Sequence, residues 1–457
     1  LHDWEGEGRL VALKGSPLEV LDMCGWQLKD GTVASFTDED KEAVQQENER
    51  MAGRALRVLG MAYAVNGGPE GERVKESDFI WLGLAGMADP VRDGVKAAID
   101  TFHEAGIKTV MLTGDQSPTA YAVAKELNLS GGSRVQILES AHLEDLDPDA
   151  LQALVQRVHV FARISPSHKL QIVQALQNAG MVVAMTGDGI NDSPALKSAD
   201  IGVAMGAQGT DIAREVADVV LEEDDLETMI VAIEGGRAIY ENIRKSVHFL
   251  TATNLSEIMV TFACISAGMG QPLNPMQLLW INTLSDIAPA IALSMTPAEP
   301  DIMKKPPRDP REQIIRPQDL KRMAYESAVI SAGALGAYGY GIFRYGTGPR
   351  ASTLVFQGLT VAQLLHTISC GSQEGSIFDH QKQPRSGFLP IALGCSLALQ
   401  ALSMMIPALR RLLGLTHIGL TDVAVIGASG FLPLLINEAT KKTVYAAAEP
   451  TEQEVAQ

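Results

Sequence analysis

The chain has 457 residues, too many for one ordinary domain and enough for two to four. Its 37 Lys and Arg against 55 Asp and Glu give a formal charge of -18, which excludes a broad nucleic-acid surface, since that would need a positive stripe. The hydrophobic share is 46% but uneven: residues 1–246 alternate charged and apolar segments, whereas 247–440 carry long apolar blocks.

In chain order, Leu10-Val11-Ala12-Leu13-Lys14-Gly15-Ser16-Pro17 reads as a strand running into a turn. A polar helix is expected over 38–56, with Thr and Asp chemistry at its start, and a strand over 57–63. From residue 89 to about 220 strands alternate with helices: strands at 107–112, 158–162, 181–185, 201–204 and 218–221, helices at 117–127 and 166–177. That alternation predicts an open parallel sheet with helices on both faces, binding ligands at the carboxyl ends of its strands. The run 181–185 reads as a buried strand. A helical segment, 226–246, then leads to six candidate membrane helices near 247–269, 273–295, 323–345, 351–371, 387–408 and 420–438. Most approach the ~20 residues a bilayer span requires. Arg244, Lys245, Lys304, Lys305, Arg308, Arg311, Lys321, Arg322, Lys382, Arg385, Lys441 and Lys442 fall on one side of these spans, with Arg410 and Arg411 as exceptions. Both ends of the chain are therefore expected in the cytoplasm. Cys24, Cys264, Cys370 and Cys395 are scattered without a CxxC pair, so their spacing suggests neither disulfides nor a zinc site. No signal peptide is visible, and Leu1-His2-Asp3 reads as the middle of something longer.

The most informative string is Met185-Thr186-Gly187-Asp188-Gly189-Ile190-Asn191-Asp192-Ser193-Pro194-Ala195-Leu196-Lys197. Asp188 and Asp192 lie four residues apart on a glycine-bearing loop after a strand, where oxygen ligands can bring a hard cation to a phosphoryl group. An isolated Gly-Asp would be read as a turn or cap. The longer string and a second Thr-Gly-Asp at Thr113-Gly114-Asp115 favour a Mg²⁺ and phosphate site. Lys169 lies in the first turns of the following helix, where it can set a point charge on a phosphoryl group; the plainer reading is a solvated lysine. Within the apolar half, Asn254 and Glu257 share a helical face, as do Asn282, Ser285 and Asp286, and again Gln363 and His366. Ionisable groups inside spans default to functional candidates, and these oxygens suit a hard cation. Ser285 and His366 could equally serve interhelical hydrogen bonds. Pro289 is expected to break the second span.

Taken together, Lys14-Gly15-Ser16-Pro17, Asp89-Pro90-Val91-Arg92, Met111-Leu112-Thr113-Gly114-Asp115, Phe161-Ala162-Arg163 with His168-Lys169, and the 186–197 string resemble the C-terminal portion of the type II, calcium-pump-like P-type ATPases. Asn274-Pro275-Met276-Gln277-Leu278-Leu279-Trp280-Ile281-Asn282 and Pro306-Pro307-Arg308 extend the resemblance. It implies an α/β plus membrane α-helical fold: a partial α+β nucleotide-binding domain over 1–88, a haloacid-dehalogenase-like, doubly wound parallel sheet (the phosphorylation domain) over 89–225, and a stalk helix over 226–246. A six-helix transmembrane bundle over 247–441 and a cytoplasmic tail over 442–457 complete it. ATP is implied as substrate and Mg²⁺ as cofactor. Lys14, Gly15 and Arg57 would serve the nucleotide pocket, Asp89-Pro90 the hinge, and Arg92 and Arg163 the nucleotide phosphates. Thr113, Gly114, Asp115 and Lys169 would contact the transferred phosphoryl group; Asp188 would hold Mg²⁺, supported by Asn191 and Asp192. Asn254, Glu257, Asn282, Ser285, Asp286 and Gln363 would be ligands of the transported cation, with Ca²⁺ leading and Mn²⁺, Na⁺ or H⁺ as alternatives. Two departures bear on the ion: Ser285-Asp286-Ile287 stands where calcium pumps usually carry Thr-Asp-Gly, and Gln363 replaces a carboxylate of some two-site pumps.

The family's nucleophile is the Asp of an Asp-Lys-Thr-Gly-Thr string, and none occurs here. The expectation is a chain not competent alone, whose N-terminal half lies upstream or in a separate chain, in the bilayer of a plasma (inner) membrane. The alternatives are a haloacid-dehalogenase-like phosphatase with a membrane anchor, or a non-catalytic truncated homologue.

Overall fold

A computed structural model describes residues 2–4, 8–53, 56–66, 78–88, 91–144, 146–207, 209–371 and 387–446. The chain divides into two compact units, Leu1–Ile230 and Val231–Gln457. Asp89, Pro90, Lys382 and Arg385 lie outside the described residues.

In the first unit, β1 (His2–Trp4), β2 (Gly8–Gly15), β3 (Cys24–Lys29), β4 (Thr32–Ser35), β5 (Leu56–Asn66) and β6 (Phe79–Ala88) form one sheet in the order β1-β2-β5-β6-β3-β4. All pairs are antiparallel except β3 with β6. One face of β2 and β5, carrying Val11, Leu13, Ala62 and Ala64, packs under Val20 and Leu21 of the helix Pro17–Asp22. Gly60 is required here, because a β-carbon would lie 2.8 Å from the Trp81 ring. The helix expected over 38–56 runs Asp38–Ala52. Thr37 starts it with a reciprocal cap: its hydroxyl accepts from the Asp40 amide, and the Asp40 carboxylate accepts from the Thr37 amide.

The rest of this unit holds β7 (Met111–Leu112), β8 (Ile137–Glu139), β9 (Val160–Ala162), β10 (Ala184–Gly187), β11 (Ile201–Met205) and β12 (Val219–Leu221). They form two three-stranded parallel ladders, β7-β9-β8 and β10-β11-β12, where the sequence pattern predicts one open sheet. Among the described residues β7 and β10 are both edge strands. The run 181–185 is correspondingly not a buried strand: pairing begins at Ala184, and Val182 is 62% exposed. The ladders still share a core, since Leu112 and Val183 pack against the buried residues of both.

In the second unit, four helices among the described residues are long and apolar enough to cross a membrane: Glu227–Ser266, Pro349–Cys370, Phe388–Met405 and Leu420–Lys441. Of the other two predicted spans, Pro317–Tyr345 is a 29-residue helix that is not among those four. The segment 273–295 is interrupted: helix Pro275–Trp280, a π turn Ile281–Ser285, then helix Ile287–Ser294. The helices Pro317–Tyr345, Pro349–Cys370 and Leu420–Ala446 meet through small residues. A β-carbon on Gly333 would lie 2.6 Å from the Ser429 carbonyl, and one on Gly430 2.6 Å from Val361. Close approach through small residues is the usual basis of helix packing in lipid, where apolar surface alone supplies no driving force.

Candidate phosphoryl and cation sites

The open face of the six-stranded sheet borders a cavity of about 620 Å³ lined by Leu10, Ala12, Lys14, Met61 and Tyr63 among others. Lys14 pairs with Met61 and Gly15 with Gly60 across β2 and β5. Arg57 is four residues before Met61 on β5, hence on the same face, about 14 Å along the strand from the Lys14 register. It is exposed but does not line the cavity. Arg92 Nη1 donates to the Asp224 carbonyl at 3.4 Å.

Two loops at the carboxyl ends of β7 and β9 are stitched together. The Arg163 amide donates to the Asp115 carbonyl at 3.0 Å and the Ile164 amide to the Thr113 carbonyl at 3.1 Å. Arg163 accepts a positive φ of 54° to make this link. Within the first loop the Thr113 hydroxyl donates to Asp115 Oδ2 and receives the Asp115 amide, both at 3.0 Å. Gly114 and the Asp115 side chain face solvent.

Ser165 then caps the helix Pro166–Asn178, accepting from the His168 amide. One turn on, Lys169 Nζ donates to Asp192 Oδ1 at 2.5 Å, across from the loop after β10. Asp192 is buried, while Asp188 and Asn191 are exposed. The Asp188 carbonyl accepts from the Thr210 amide at 2.9 Å, which pins the loop, and its carboxylate has no partner among the described residues. An open carboxylate beside a lysine-held one, at a strand end, is a donor set that fits Mg²⁺. Gly187 makes the arrangement sterically possible, since a β-carbon there would lie 2.5 Å from Asp192 Cβ. Beneath, the Gln136 amide donates to His159 Nδ1 at 3.2 Å. Burial first, then Lys108 and His103, hold that imidazole below its ordinary value.

In the second unit, Glu257, Asp286 and Gln363 converge from three helical segments, and all three are buried. Glu257 receives Asn282 Nδ2 at 3.0 Å and Gln363 Nε2 at 3.4 Å. Gln363 Nε2 also donates to the Thr253 carbonyl at 3.1 Å, and the Thr253 hydroxyl donates to Asp286 Oδ2 at 3.1 Å. Asp286 Oδ1 and Gln363 Oε1 are buried oxygens without a hydrogen-bond partner among the described residues. Ser285 is buried beside them, its carbonyl accepting from Ser396 Oγ at 3.4 Å. Asn254 is not brought in: it is exposed, and its amide donates to the Leu250 carbonyl of its own helix at 2.7 Å. Thr253 was missed by the sequence pattern, as a hydroxyl inside an apolar helix carries no signal of its own. The break in the second segment also differs in cause. The Asp286 amide bonds the Ile281 carbonyl at 3.1 Å, five residues back, so a π turn widens the helix before Pro289 is reached. Pro289, lacking an N–H, then leaves the Ser285 carbonyl to Ser396.

Comparison with known proteins bears on the family. The family model for the cytoplasmic domain N of P-type ATPases matches residues 1–94, and that for the C-terminus of cation-transporting ATPases matches 270–443. Calcium-transporting ATPase 1 of Bacillus cereus is 36% identical over 446 residues, covering 94% of this chain and 50% of that protein. The calcium-transporting ATPase of Bacillus subtilis is 41% identical over 377 residues (81% and 42%), and the human calcium-transporting ATPase type 2C member 1 is 34% identical over 411 (90% and 44%). The chain thus spans about half the length of the curated relatives it matches. It belongs to the type II, calcium-pump-like cation-transporting P-type ATPases.

Proposed function

We propose that this chain is the C-terminal part of an ATP-driven pump that couples ATP hydrolysis to the movement of Ca²⁺ across a membrane. It works only when an Asp-Lys-Thr-Gly-Thr nucleophile is supplied from outside this sequence, upstream or in a separate chain. The observation that carries the reading is the pair of unpartnered buried oxygens, Asp286 Oδ1 and Gln363 Oε1, beside Glu257. Buried oxygens left unpaired cost free energy, and a hard cation is the ligand that satisfies them. That Ca²⁺ leads over Mn²⁺, Na⁺ and H⁺ is supported by the names of the relatives, calcium-transporting ATPases.

In this reading residues 1–88 bind ATP with Lys14, Gly15 and Arg57 on the open sheet face, and 89–225 form the haloacid-dehalogenase-like phosphorylation domain. The edges of β7 and β10 favour one further strand between the ladders, carrying the nucleophile. Thr113, Gly114, Asp115 and Lys169 position the phosphoryl group, Asn191 and Asp192 support the loop, and Arg92 and Arg163 steady the nucleotide phosphates. Asp188 would hold Mg²⁺, which supplies neutralising charge to the phosphoryl oxygens when bound. Residues 226–246 are the stalk. Six spans fill 247–441: the Gly333 contact supports Pro317–Tyr345 as a membrane helix beside its apolar neighbours, and the π turn accounts for the broken second span. Both chain ends, including the 442–457 tail, lie in the cytoplasm of a plasma (inner) membrane.

The test is to co-express the chain with an upstream half bearing the nucleophile and to measure phosphoenzyme formed from ATP over a panel of cations. Ca²⁺ should stimulate it, Glu257→Gln and Asp286→Asn should each abolish that stimulation, and Asp188→Asn should abolish Mg²⁺-dependent turnover. Phosphorylation indifferent to every cation would sink the pump reading, and release of phosphate from small esters without the upstream half would favour a phosphatase.

A further inference from the structure

A second cluster of metal-binding side chains lies away from the oxygen site, in the same unit. His248 on the helix Glu227–Ser266 and His366 and Cys370 on the helix Pro349–Cys370 place one ligand atom each within 4.8 Å of one another. Cys370 Sγ is 3.3 Å from His366 Nε2. A carboxylate from a third helix completes the group: Glu326 Oε2 is 2.5 Å from His248 Nε2 and 3.5 Å from His366 Nε2. Arg322, one turn before Glu326, donates to its other oxygen at 2.7 Å and so aims Oε2 at the histidines. His366 and Cys370 are buried, and His366 Nδ1 is a buried nitrogen without a partner.

We propose that His248, Glu326, His366 and Cys370 bind one divalent cation of the Zn²⁺ class. Two imidazoles, a thiolate and a carboxylate are a borderline-soft set, which selects Zn²⁺ or Co²⁺ over the Ca²⁺ that an all-oxygen cavity takes. Ligand atoms around tetrahedral zinc stand about 3.3–3.8 Å apart; His248, His366 and Cys370 lie within 4.8 Å of one another and Glu326 Oε2 lies 2.5 and 3.5 Å from the two ring nitrogens, so binding calls for side-chain adjustment. On binding, Cys370 gives its proton to solvent and both imidazoles are neutral, so thiolate and carboxylate together cancel the ion's charge. Arg322 acts as a positioning residue through Glu326. The site is distinct from the oxygen cavity: His248 lies nine residues from Glu257 on one helix, about 13 Å along its axis. The bound ion would pin three helices together, one of them carrying Gln363 a single turn from His366. Cysteine spacing gave no hint of this, since the ligands are spread from His248 to Cys370, 122 residues apart.

The experiment is Co²⁺ titration of the purified full chain in detergent, in a Cys24→Ala, Cys395→Ser background that removes two other thiols. One equivalent should give the visible bands of tetrahedral cobalt and a thiolate-to-cobalt charge-transfer band, both displaced by Zn²⁺. Cys370→Ser should abolish the charge-transfer band, and Arg322→Gln should weaken Co²⁺ binding about 10–100-fold. Glu257→Gln should leave the spectrum unchanged, which separates this site from the oxygen cavity. X-ray absorption of the zinc-loaded chain needs no variant: one sulfur among nitrogen and oxygen ligands supports the site. A shell without sulfur, or a charge-transfer band that survives Cys370→Ser, overturns it.

Discussion

Lys169 can reach Asp192 at 2.5 Å because the residue at 187 has no β-carbon. Gly187→Ala would place a methyl group 2.5 Å from Asp192 Cβ and push the carboxylate off the lysine. In the completed protein this should lower phosphoenzyme formation by at least about tenfold, a loss of roughly 1.4 kcal/mol in transition-state stabilisation, while nucleotide binding by the first sheet is unchanged. The motif made this loop legible, since its residues are contiguous in a glycine-bearing string after a strand. His159 was not legible, because its partner Gln136 is 23 residues away and neither stands in a motif. Its folded-state pKa lies below the ordinary 6.5, so the fold favours the neutral ring, whose Nδ1 accepts the Gln136 amide. That contribution is complete above the unfolded value and is lost as pH falls below it. Thermal unfolding of the full chain should therefore fall more steeply between pH 7 and 5 than that of a His159→Gln variant; equal slopes would contradict the assignment.

Two glycines on one helix separate packing from propensity. Gly333 meets the Ser429 carbonyl, whereas a β-carbon on Gly336 would meet nothing within 4 Å. Gly333→Ala should destabilise the unit by about 1–3 kcal/mol through overpacking. Gly336→Ala should be neutral or stabilising by up to about 1 kcal/mol through helix propensity. Melting in detergent distinguishes them, and a similar response from both would remove the small-residue contact from the account. Helix positions at this scale were largely readable from apolar runs. The π turn was not, because the sequence advertises Pro289 and is silent about the five-residue bond ending at Asp286. Strands were harder: β8 has three residues and β7 two, too short for any alternating pattern to emerge.

For the molecule as a whole, two parallel ladders with edges at β7 and β10 stand where one sheet was expected. Parallel sheets are ordinarily continuous and covered on both faces, so a strand added between these edges should stabilise the unit. Co-expression with the nucleophile-bearing half should raise the melting temperature of residues 1–230, read by hydrogen exchange at Leu112 and Met185. Unchanged protection at both positions would show that the added half docks elsewhere. The family was plain in the sequence because it rests on short contiguous strings. The split sheet was invisible, since strand order depends on contacts that no local pattern encodes.

Glu257 is held by two carboxamides, Asn282 and Gln363, each of which presents its nitrogen to the carboxylate. A carboxamide carries a donor and an acceptor at opposite ends of one rotor. Half a turn about the last torsion replaces each N–H with an oxygen, so the same two side chains can latch a bare acid or turn to greet an ion. In the pump proposed above, loading and unloading would then begin as a change of sign in the lining, made before any helix has to shift.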